Sequence, residues 1–410
     1  MKDLLKQAFE AAVAAADPDV VLERYLPTDR QAKVTIIGAG KSAAKMAAAF
    51  EHAWQGPVQG LVITRYGHKV PTRFIEVVEA SHPVPDDAGL QGAQRILDMV
   101  SELGENDLVV ALISGGGSAL LSLPAKGVSI AQKQAVNKAL LHSGATIDEM
   151  NCVRKHLSAI KGGRLAKACF PAQLVSFAIS DVPGDDPSVI ASGPTVGDVT
   201  TCTDAREILD RYGIKGYDDL LVESVKPDDP CFARSTYKLI ATPQRSLQAA
   251  CDFLANKGIA SLILSDRIEG EAREIAKMHG AIAQQIVTYG QPVSAPCVLL
   301  SGGETTVSIR NPEGAGGPNA EFLLSLLDHI DGIEMVYALA ADTDGIDGSE
   351  DNAGAWIDPT SRQRAKDKGL KIRDYLDSNQ SYRFFFEMGD LFAPGPTLTN
   401  VNDFRAIYIE

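Results

Sequence analysis

The sequence predicts two α/β domains, the first built on a parallel sheet and the second smaller. Three observations lead there. The chain has 410 residues, more than one hydrophobic core ordinarily organises. From residue 33 onward, continuous apolar runs alternate with helical stretches, the pattern of strands covered on both faces. A polar stretch from Tyr212 to Arg234, containing Lys226-Pro227-Asp228-Asp229-Pro230, then interrupts that alternation and reads as a boundary. The domains are expected over 1–233 and 234–410.

The opening MKDLLKQAFEAAVAAADPD reads as an amphipathic helix closing near Asp17-Pro18, too acidic and interrupted for a signal peptide. KVTIIGAG, VQGLVIT and FIEVVEAS read as strands, with the helix KSAAKMAAAFEHAW between the first two. A helix from about Asp87 to Ser101 precedes the buried run LVVALISGGGS. Helices are then expected from about Ser129 to His142 and through Gly162–Ala168, followed by the strand QLVSFAIS. The second domain restarts with YKLIATPQRSLQAACDFLANKG and IASLILS, read as a βαβ unit. PCVLLSGGETTVSIR, the helix AEFLLSLLDHI, the strand MVYALAADTDG and a closing segment complete a set of mixed strands flanked by helices.

Composition excludes several classes. With 53 acidic against 39 basic residues the formal charge is −14, unsuited to a broad nucleic-acid surface. A few basic groups in one cleft can still reverse the local field for a small anion. The six cysteines are scattered without a CxxC pair, which reads as reduced thiols and not as a disulfide or cysteine metal scaffold. No apolar run approaches the roughly 18 residues of a membrane span, and a cytoplasmic location is the expectation.

The chemistry is expected at glycine-rich strand exits. Gly38-Ala39-Gly40-Lys41-Ser42-Ala43 leaves a strand and opens an Ala-rich helix, a turn that aims backbone amides at an anion. It also fits a dinucleotide fingerprint, but the next strand ends in Thr64-Arg65 without the acidic residue that holds a ribose; Arg65 suits a 2′-phosphate instead. No Walker A spacing is present. Lys41 is either a phosphate-neutralising amine or an exposed helix lysine. Ser114-Gly115-Gly116-Gly117-Ser118 is a second strand exit and a backbone nest for phosphate or carboxylate.

Arg154-Lys155-His156 and Lys161-Gly162-Gly163-Arg164 concentrate positive charge, either for an acid's carboxylate or as a solvated helix face. Asp181 leaves a strand in ISDVPGDD and can accept an alcohol proton, hold Mg²⁺, or simply cap a turn. Ser301-Gly302-Gly303-Glu304 repeats the strand-to-glycine logic. Asp342, Asp344 and Asp347 crowd three carboxylates together; Ala353 stands where a calcium loop needs Glu, so a Mg²⁺-nucleotide site is the better reading. GPTLTNVND, with Thr399 and Asn400, has the composition of a binding loop. No G-x-S-x-G or H-E-x-x-H spacing supports a serine or zinc hydrolase.

Taken in order, GAGKSAAKM, SHPVPD, LISGGGSALL, RKHLSAIKGGRLA, ISDVPGDDPSVIASGPT, LLSGGETTV, ADTDGIDG and GPTLTNVNDF run through nearly the whole chain. Together they resemble the type 2 glycerate kinase family, whose C-terminal half is called the MOFRL domain. The resemblance implies a Rossmann-like N-terminal domain and a smaller α/β C-terminal domain with the active site between them. It also implies phosphorylation of D-glycerate from ATP with Mg²⁺, generally to 2-phosphoglycerate, and places the catalytic lysine on Lys41. Asp181 and Lys155 join Lys41 as catalytic candidates. Gly38, Gly40, Ser114, Gly115, Gly116, Gly117, Ser118, Gly302, Gly303, Glu304, Asn319, Thr399 and Asn400 are candidates for nucleotide binding, with Asp342 and Asp344 for the metal. Many relatives carry GGRNQE where this chain reads Gly316-Gly317-Pro318-Asn319-Ala320-Glu321, so their proposed arginine falls on Pro318. Arg154, Arg164 and Arg310 are the cations left to replace it. NAD(P)H-dependent hydroxypyruvate reduction, a label many such sequences carry, is the alternative. A homodimer stays open.

Overall fold

The computed structural model describes residues 1–27, 30–330 and 335–410. The chain forms two compact units. One comprises residues 18–180 and 185–240; the other comprises 1–17, 181–184 and 241–410.

The first unit carries a six-stranded sheet of β1 (Val34–Ala39), β2 (Val58–Arg65), β3 (Ile75–Ala80), β4 (Leu108–Ile113), β5 (Gln173–Ile179) and β6 (Ser235–Ala241). Their order is β3-β2-β1-β4-β5-β6, and the pairings from β3 through β5 are parallel. Every residue of β1 is buried, as a central strand covered on both faces must be. The strand order reverses between β1 and β4, the place where an open α/β sheet leaves a crevice at its carboxyl ends. The Rossmann-like expectation is met.

Beside the sheet, the helices Ile130–Ser143, Ile147–His156 and Cys202–Arg211 share an apolar cluster that includes Val136, Leu140, Val153 and Leu209. Each begins at a capping box, Ser129/Gln132, Thr146/Glu149 and Thr201/Asp204, in which side chains satisfy backbone N–H groups at the helix start. The helix expected through Gly162–Ala168 begins only at Arg164. Gly162 and Gly163 instead donate their N–H groups to Ser192 O and Gly193 O, at 3.1 and 2.8 Å.

The second unit holds β7 (Ala260–Ile263), β8 (Ile268–Glu271), β9 (Cys297–Thr306), β10 (Val336–Asp342), β11 (Gly354–Ile357), β12 (Leu391–Phe392) and β13 (Asp403–Ile409). The order is β12-β11-β10-β13-β9-β7, with β8 also paired to β9. β7 and β8 run parallel to β9, and the other pairings are antiparallel. The expected βαβ unit across YKLIA and IASLI is not one, because β6 joins the first sheet and β7 the second. Gly302 and Gly303, expected at a strand exit, lie inside β9 where its edge passes from β7 to β8. A side chain at Gly303 would place its Cβ 2.2 Å from Ile268 O.

Two cores sandwich this sheet through strict alternation. Val336, Ala338, Ala340, Ile407 and Ile409 face a core shared with the helices Ala272–Tyr289 and Pro318–His329. Leu339, Ala341, Phe404, Ala406 and Tyr408 face the opposite one, as a period-two strand requires. That second core is closed by the helices Lys2–Ala14 and Pro243–Asn256. Phe9 meets Phe392 and Phe404 edge-on, with ring centroids 5.1 and 5.7 Å apart. Among the described residues no helix is long and apolar enough to cross a membrane.

Phe9→Ala is expected to destabilise the second unit by about 3–5 kcal/mol, since it empties a buried aromatic site. Urea unfolding followed by near-ultraviolet circular dichroism measures this, with the midpoint moving to lower denaturant.

Candidate active site

At the reversal between β1 and β4, the two strand exits are hydrogen-bonded to each other. Lys41 N donates to Gly115 O at 2.7 Å, Ser114 N to Ala39 O at 3.1 Å, and Ser42 N to the Ser114 hydroxyl at 3.0 Å. Gly40 has φ +143°, and a Cβ there would stand 2.1 Å from Ser114 Oγ. Only glycine allows the turns to meet this closely. Gly38 lies one step earlier, inside β1. Gly116 is left-handed (φ 76°), and a methyl group on it would lie 3.0 Å from the His82 ring and 3.2 Å from Lys41 Cγ. The Lys41 stem, the His82 ring and the glycine nest therefore adjoin.

The nest continues into a polar chain. Ser118 Oγ lies 2.6 Å from Ser192 Oγ, Ser192 donates to Asn151 Oδ1 at 3.2 Å, and Arg154 reaches the same oxygen at 3.4 Å. Ala191 and Ser192 both hold positive φ, 51° and 59°. Such conformations cost about 1–3 kcal/mol each and cluster at ligand sites.

Behind the nest stands a group of buried cations. Lys161 is 1% exposed and donates to Ser118 O and Leu121 O at 2.7 and 3.1 Å. Lys133, 4% exposed, has an Nζ without a hydrogen-bond partner. Burial, with repulsion from Arg154 and Arg164, pushes the Lys133 ammonium down to about 7. Burial likewise holds Lys161 well below the ordinary lysine range, with Lys133 and Arg154 adding to the effect. Arg154 bonds only neutral oxygens among the described contacts, those of Asn137 and Asn151. Sequence reading found this charge in the 154–164 segment but missed Lys133, whose place in a helix with little amphipathic pattern gave no signal.

Lys155 and Arg164 are placed differently. Lys155 is buried in an ion pair with Asp198 at 2.9 Å. Arg164 donates to the carbonyls of Lys155, Lys161, Val222 and Glu223, tying loops together. Arg310 is exposed and lies 3.4 Å from Asp377.

In the mixed-sheet unit, the loop after β10 interlocks with residues 397–402. Thr343 Oγ1 donates to Asn402 O at 2.7 Å, Val401 N to Thr343 Oγ1 at 2.9 Å, and Thr397 N to Asp344 O at 3.1 Å. The three carboxylates do not converge. Asp342 accepts from Asp344 N at 2.8 Å and Asp344 from Ile346 N at 2.9 Å. Asp347 turns away to accept from Asn319 N and Ala320 N, at 3.0 and 2.8 Å, at the start of the helix Pro318–His329. Burial pushes the Asp347 carboxyl up to about 7 despite those amides. Asp342 and Asp344 remain as a two-carboxylate oxygen set, which suits Mg²⁺, a hard cation that keeps several waters and binds through one or two carboxylates plus phosphate.

Asn319 is 1% exposed, and its amide donates to Asp403 Oδ1 at 2.6 Å and Asp347 Oδ1 at 3.3 Å. Thr399 Oγ1 donates to Ala16 O at 2.8 Å, anchoring the chain after the N-terminal helix. Both side chains thus have structural partners. Glu304 is exposed within β9. Asn400 Nδ2 donates to Asp181 Oδ2 at 3.0 Å, and Asn402 Nδ2 to Asp181 O. Asp181 is therefore held at its carboxylate by Asn400 and at its backbone carbonyl by Asn402, the partner that sequence reading did not single out. Pro318 opens the helix whose start Asp347 caps.

Residues 4–225 match the family described as a domain of unknown function, DUF4147, and residues 297–403 match the MOFRL family. A protein of Agrobacterium vitis named "Putative hydroxypyruvate reductase" is 50% identical over 413 residues, covering 100% of this chain and 94% of that protein. The D-glycerate 2-kinase of Thermotoga maritima is 38% identical over 405 residues, covering 98% of this chain and 97% of its own length. A crystal structure of glycerate kinase from Thermotoga maritima superposes with a TM-score of 0.91 at 37% identity, over 100% of this chain and 99% of that one. Similarity at this level over the full length, with both family matches, means that the chain belongs to the MOFRL-containing glycerate kinase family.

Proposed function

We propose that this protein transfers the γ-phosphoryl group of ATP to D-glycerate in the presence of Mg²⁺, at the 2-hydroxyl, giving 2-phospho-D-glycerate. The observation that carries this reading is the anion nest at the β1/β4 reversal backed by buried cations without carboxylate partners. Such a field favours a bound anion, and a hydroxy acid and a triphosphate both supply one. Membership of the glycerate kinase family supports the choice between possible anions.

In the parallel-sheet unit, Lys133 and Arg154 hold the substrate carboxylate, while the amides of Ser114–Ser118 take phosphate oxygens. Lys41 offsets the charge that accumulates on the transferring phosphoryl group. In the mixed-sheet unit, Asp342 and Asp344 are the residues that would hold Mg²⁺, which neutralises phosphate charge when bound. Asp181, oriented by Asn400 and Asn402, receives the proton of the attacking hydroxyl. The oxygen of that hydroxyl forms the new bond to phosphorus as the bond to the β-phosphate oxygen breaks, and ADP leaves. Lys155 is omitted from the chemistry because Asp198 already neutralises it.

Incubation with ATP, Mg²⁺ and D-glycerate should yield the phosphorus resonance of 2-phosphoglycerate. Hydroxypyruvate with NADH or NADPH, without ATP, should give no oxidation of the nicotinamide. The opposite pair of results would replace the kinase reading by the reductase one. Lys41→Ala should lower kcat by roughly 10²–10³-fold, the scale of losing one charge-stabilising group, with a smaller change in KM for D-glycerate.

Lys133 yields a pH prediction. Its folded value, about 7, is depressed from 10.5. Between these values the unfolded chain binds the extra proton, so stability of the unliganded protein rises with pH across that window. Lys133→Met should flatten that rise and increase the melting temperature at pH 7, because it removes an unpaired buried amine. The same variant should raise KM for D-glycerate at least tenfold. In the unaltered protein, an anion favours the charged amine, so KM should increase as pH climbs above about 7. A Lys133→Met protein with unchanged KM would remove Lys133 from the substrate site.

A further inference from the structure

His156, Cys202 and Glu223 are far apart in sequence, yet an imidazole nitrogen, the thiol sulfur and a carboxylate oxygen lie within 4.8 Å of one another. All three belong to the parallel-sheet unit. His156 ends the helix Ile147–His156, Cys202 begins the helix Cys202–Arg211, and Glu223 lies in the loop beyond. His156 is fully buried, and its Nδ1 is 2.8 Å from Cys152 O. A carbonyl only accepts, so Nδ1 carries a ring proton. Nε2 is buried without a hydrogen-bond partner, 3.5 Å from Glu223 Oε1. In the neutral ring Nε2 offers its lone pair toward a carboxylate oxygen, an arrangement that a cation between the two satisfies. An imidazole oriented through its other nitrogen by a backbone carbonyl is also how metal-ligating histidines are usually held.

We propose that His156, Cys202 and Glu223 form a binding site for one zinc-class divalent cation, distinct from the Mg²⁺ used in phosphoryl transfer. The mixed nitrogen, sulfur and oxygen set selects a borderline-soft ion such as Zn²⁺ over Mg²⁺, which takes oxygen ligands. Glu223 is half-exposed and also lines a surface cavity of 490 Å³ with Lys226, Asp228 and Asp229, so this ligand is reachable from solvent. The Cys202 backbone N–H donates to Glu223 Oε2 at 3.2 Å, holding the carboxylate beside the thiol. As the sulfur–metal bond forms, the thiol releases its proton to solvent; His156 binds neutral, Glu223 binds as carboxylate, and a water takes the fourth position. Lys226 donates to Glu223 at 2.6 Å, but it also reaches Thr200 O and Ser224 Oγ, so it keeps partners when the carboxylate turns to the metal. The ion would fasten the end of the helix carrying Arg154 to the loop whose carbonyls at 222 and 223 accept from Arg164.

The test is titration of the full-length protein with CoCl₂ and with ZnCl₂, in buffer containing excess Mg²⁺. The expected result is one equivalent of Co²⁺ bound with a thiolate-to-cobalt charge-transfer band. Zn²⁺ should displace it, releasing about one proton per ion and raising the melting temperature. Cys202→Ala should lose the band and bind Zn²⁺ at least tenfold more weakly, and Glu223→Gln should weaken it similarly. Cys251→Ala, at the other partly exposed thiol, should behave like the parent. Absence of the band in the parent, or identical Zn²⁺ affinity in Cys202→Ala, overturns the proposal. His156 is too buried for its substitution to be decisive, so the outcome rests on the two more accessible ligands.

Discussion

The turns after β1 and β4 are held together by three hydrogen bonds, Lys41 N to Gly115 O, Ser114 N to Ala39 O, and Ser42 N to Ser114 Oγ. The rest of the proposed phosphate chemistry depends on that joint. It requires a glycine at position 40, because any side chain would collide with Ser114. It sets the Lys41 stem beside Gly116 and places the nest where the sheet changes direction. Phosphoryl transfer needs alignment more than reactive side chains, and here the aligning backbone is held on two neighbouring, hydrogen-bonded parallel strands.

Under the proposed function, the cations behind the nest are what let a chain with a formal charge of −14 receive an anion. Charge counted over the whole surface is screened within about 10 Å at ordinary ionic strength. Lys133 and Lys161 lie buried and Arg154 is half-buried, where screening is weak and solvation is poor. Their repulsion is a standing cost to the unliganded fold, and ligand charge relieves it. The polar chain Ser118–Ser192–Asn151–Arg154 links this group to the nest, so the two anion-attracting features act on one region.

The mixed-sheet unit handles its carboxylates by the opposite means. Asp342 and Asp344 accept backbone N–H groups of their own loop, Asp347 accepts those at a helix start, and Asp403 is paired with Arg405 and Asn319. Each carboxylate has a hydrogen-bond donor, while burial and the neighbouring Asp403 still push the Asp347 carboxyl up. The interlocked loops 342–347 and 397–402 also give Asp181 its two amide partners, Asn400 and Asn402.

Local pattern by itself determined the strands β1 to β5, the helix Asp87–Ser101, and the two glycine-rich turns at strand ends, because apolar periodicity and glycine at strand ends are properties of short segments. It also pointed to Lys41, Asp181 and the basic 154–164 segment. What tertiary structure decided depends on contacts between distant residues. These include the pairing of β6 with the first sheet, the docking of the N-terminal helix on the second, and the position of Gly302 and Gly303 inside β9. The choice between Arg154 facing neutral oxygens and Lys155 facing Asp198 has the same origin, as does the burial of Lys133. His156, Cys202 and Glu223 are the plainest case. No spacing along the chain announces their proximity, since two helix ends and a loop bring the three together only after packing. A residue's type sets what its side chain can do, but its solvation and its partners, which decide what it does, belong to the folded chain.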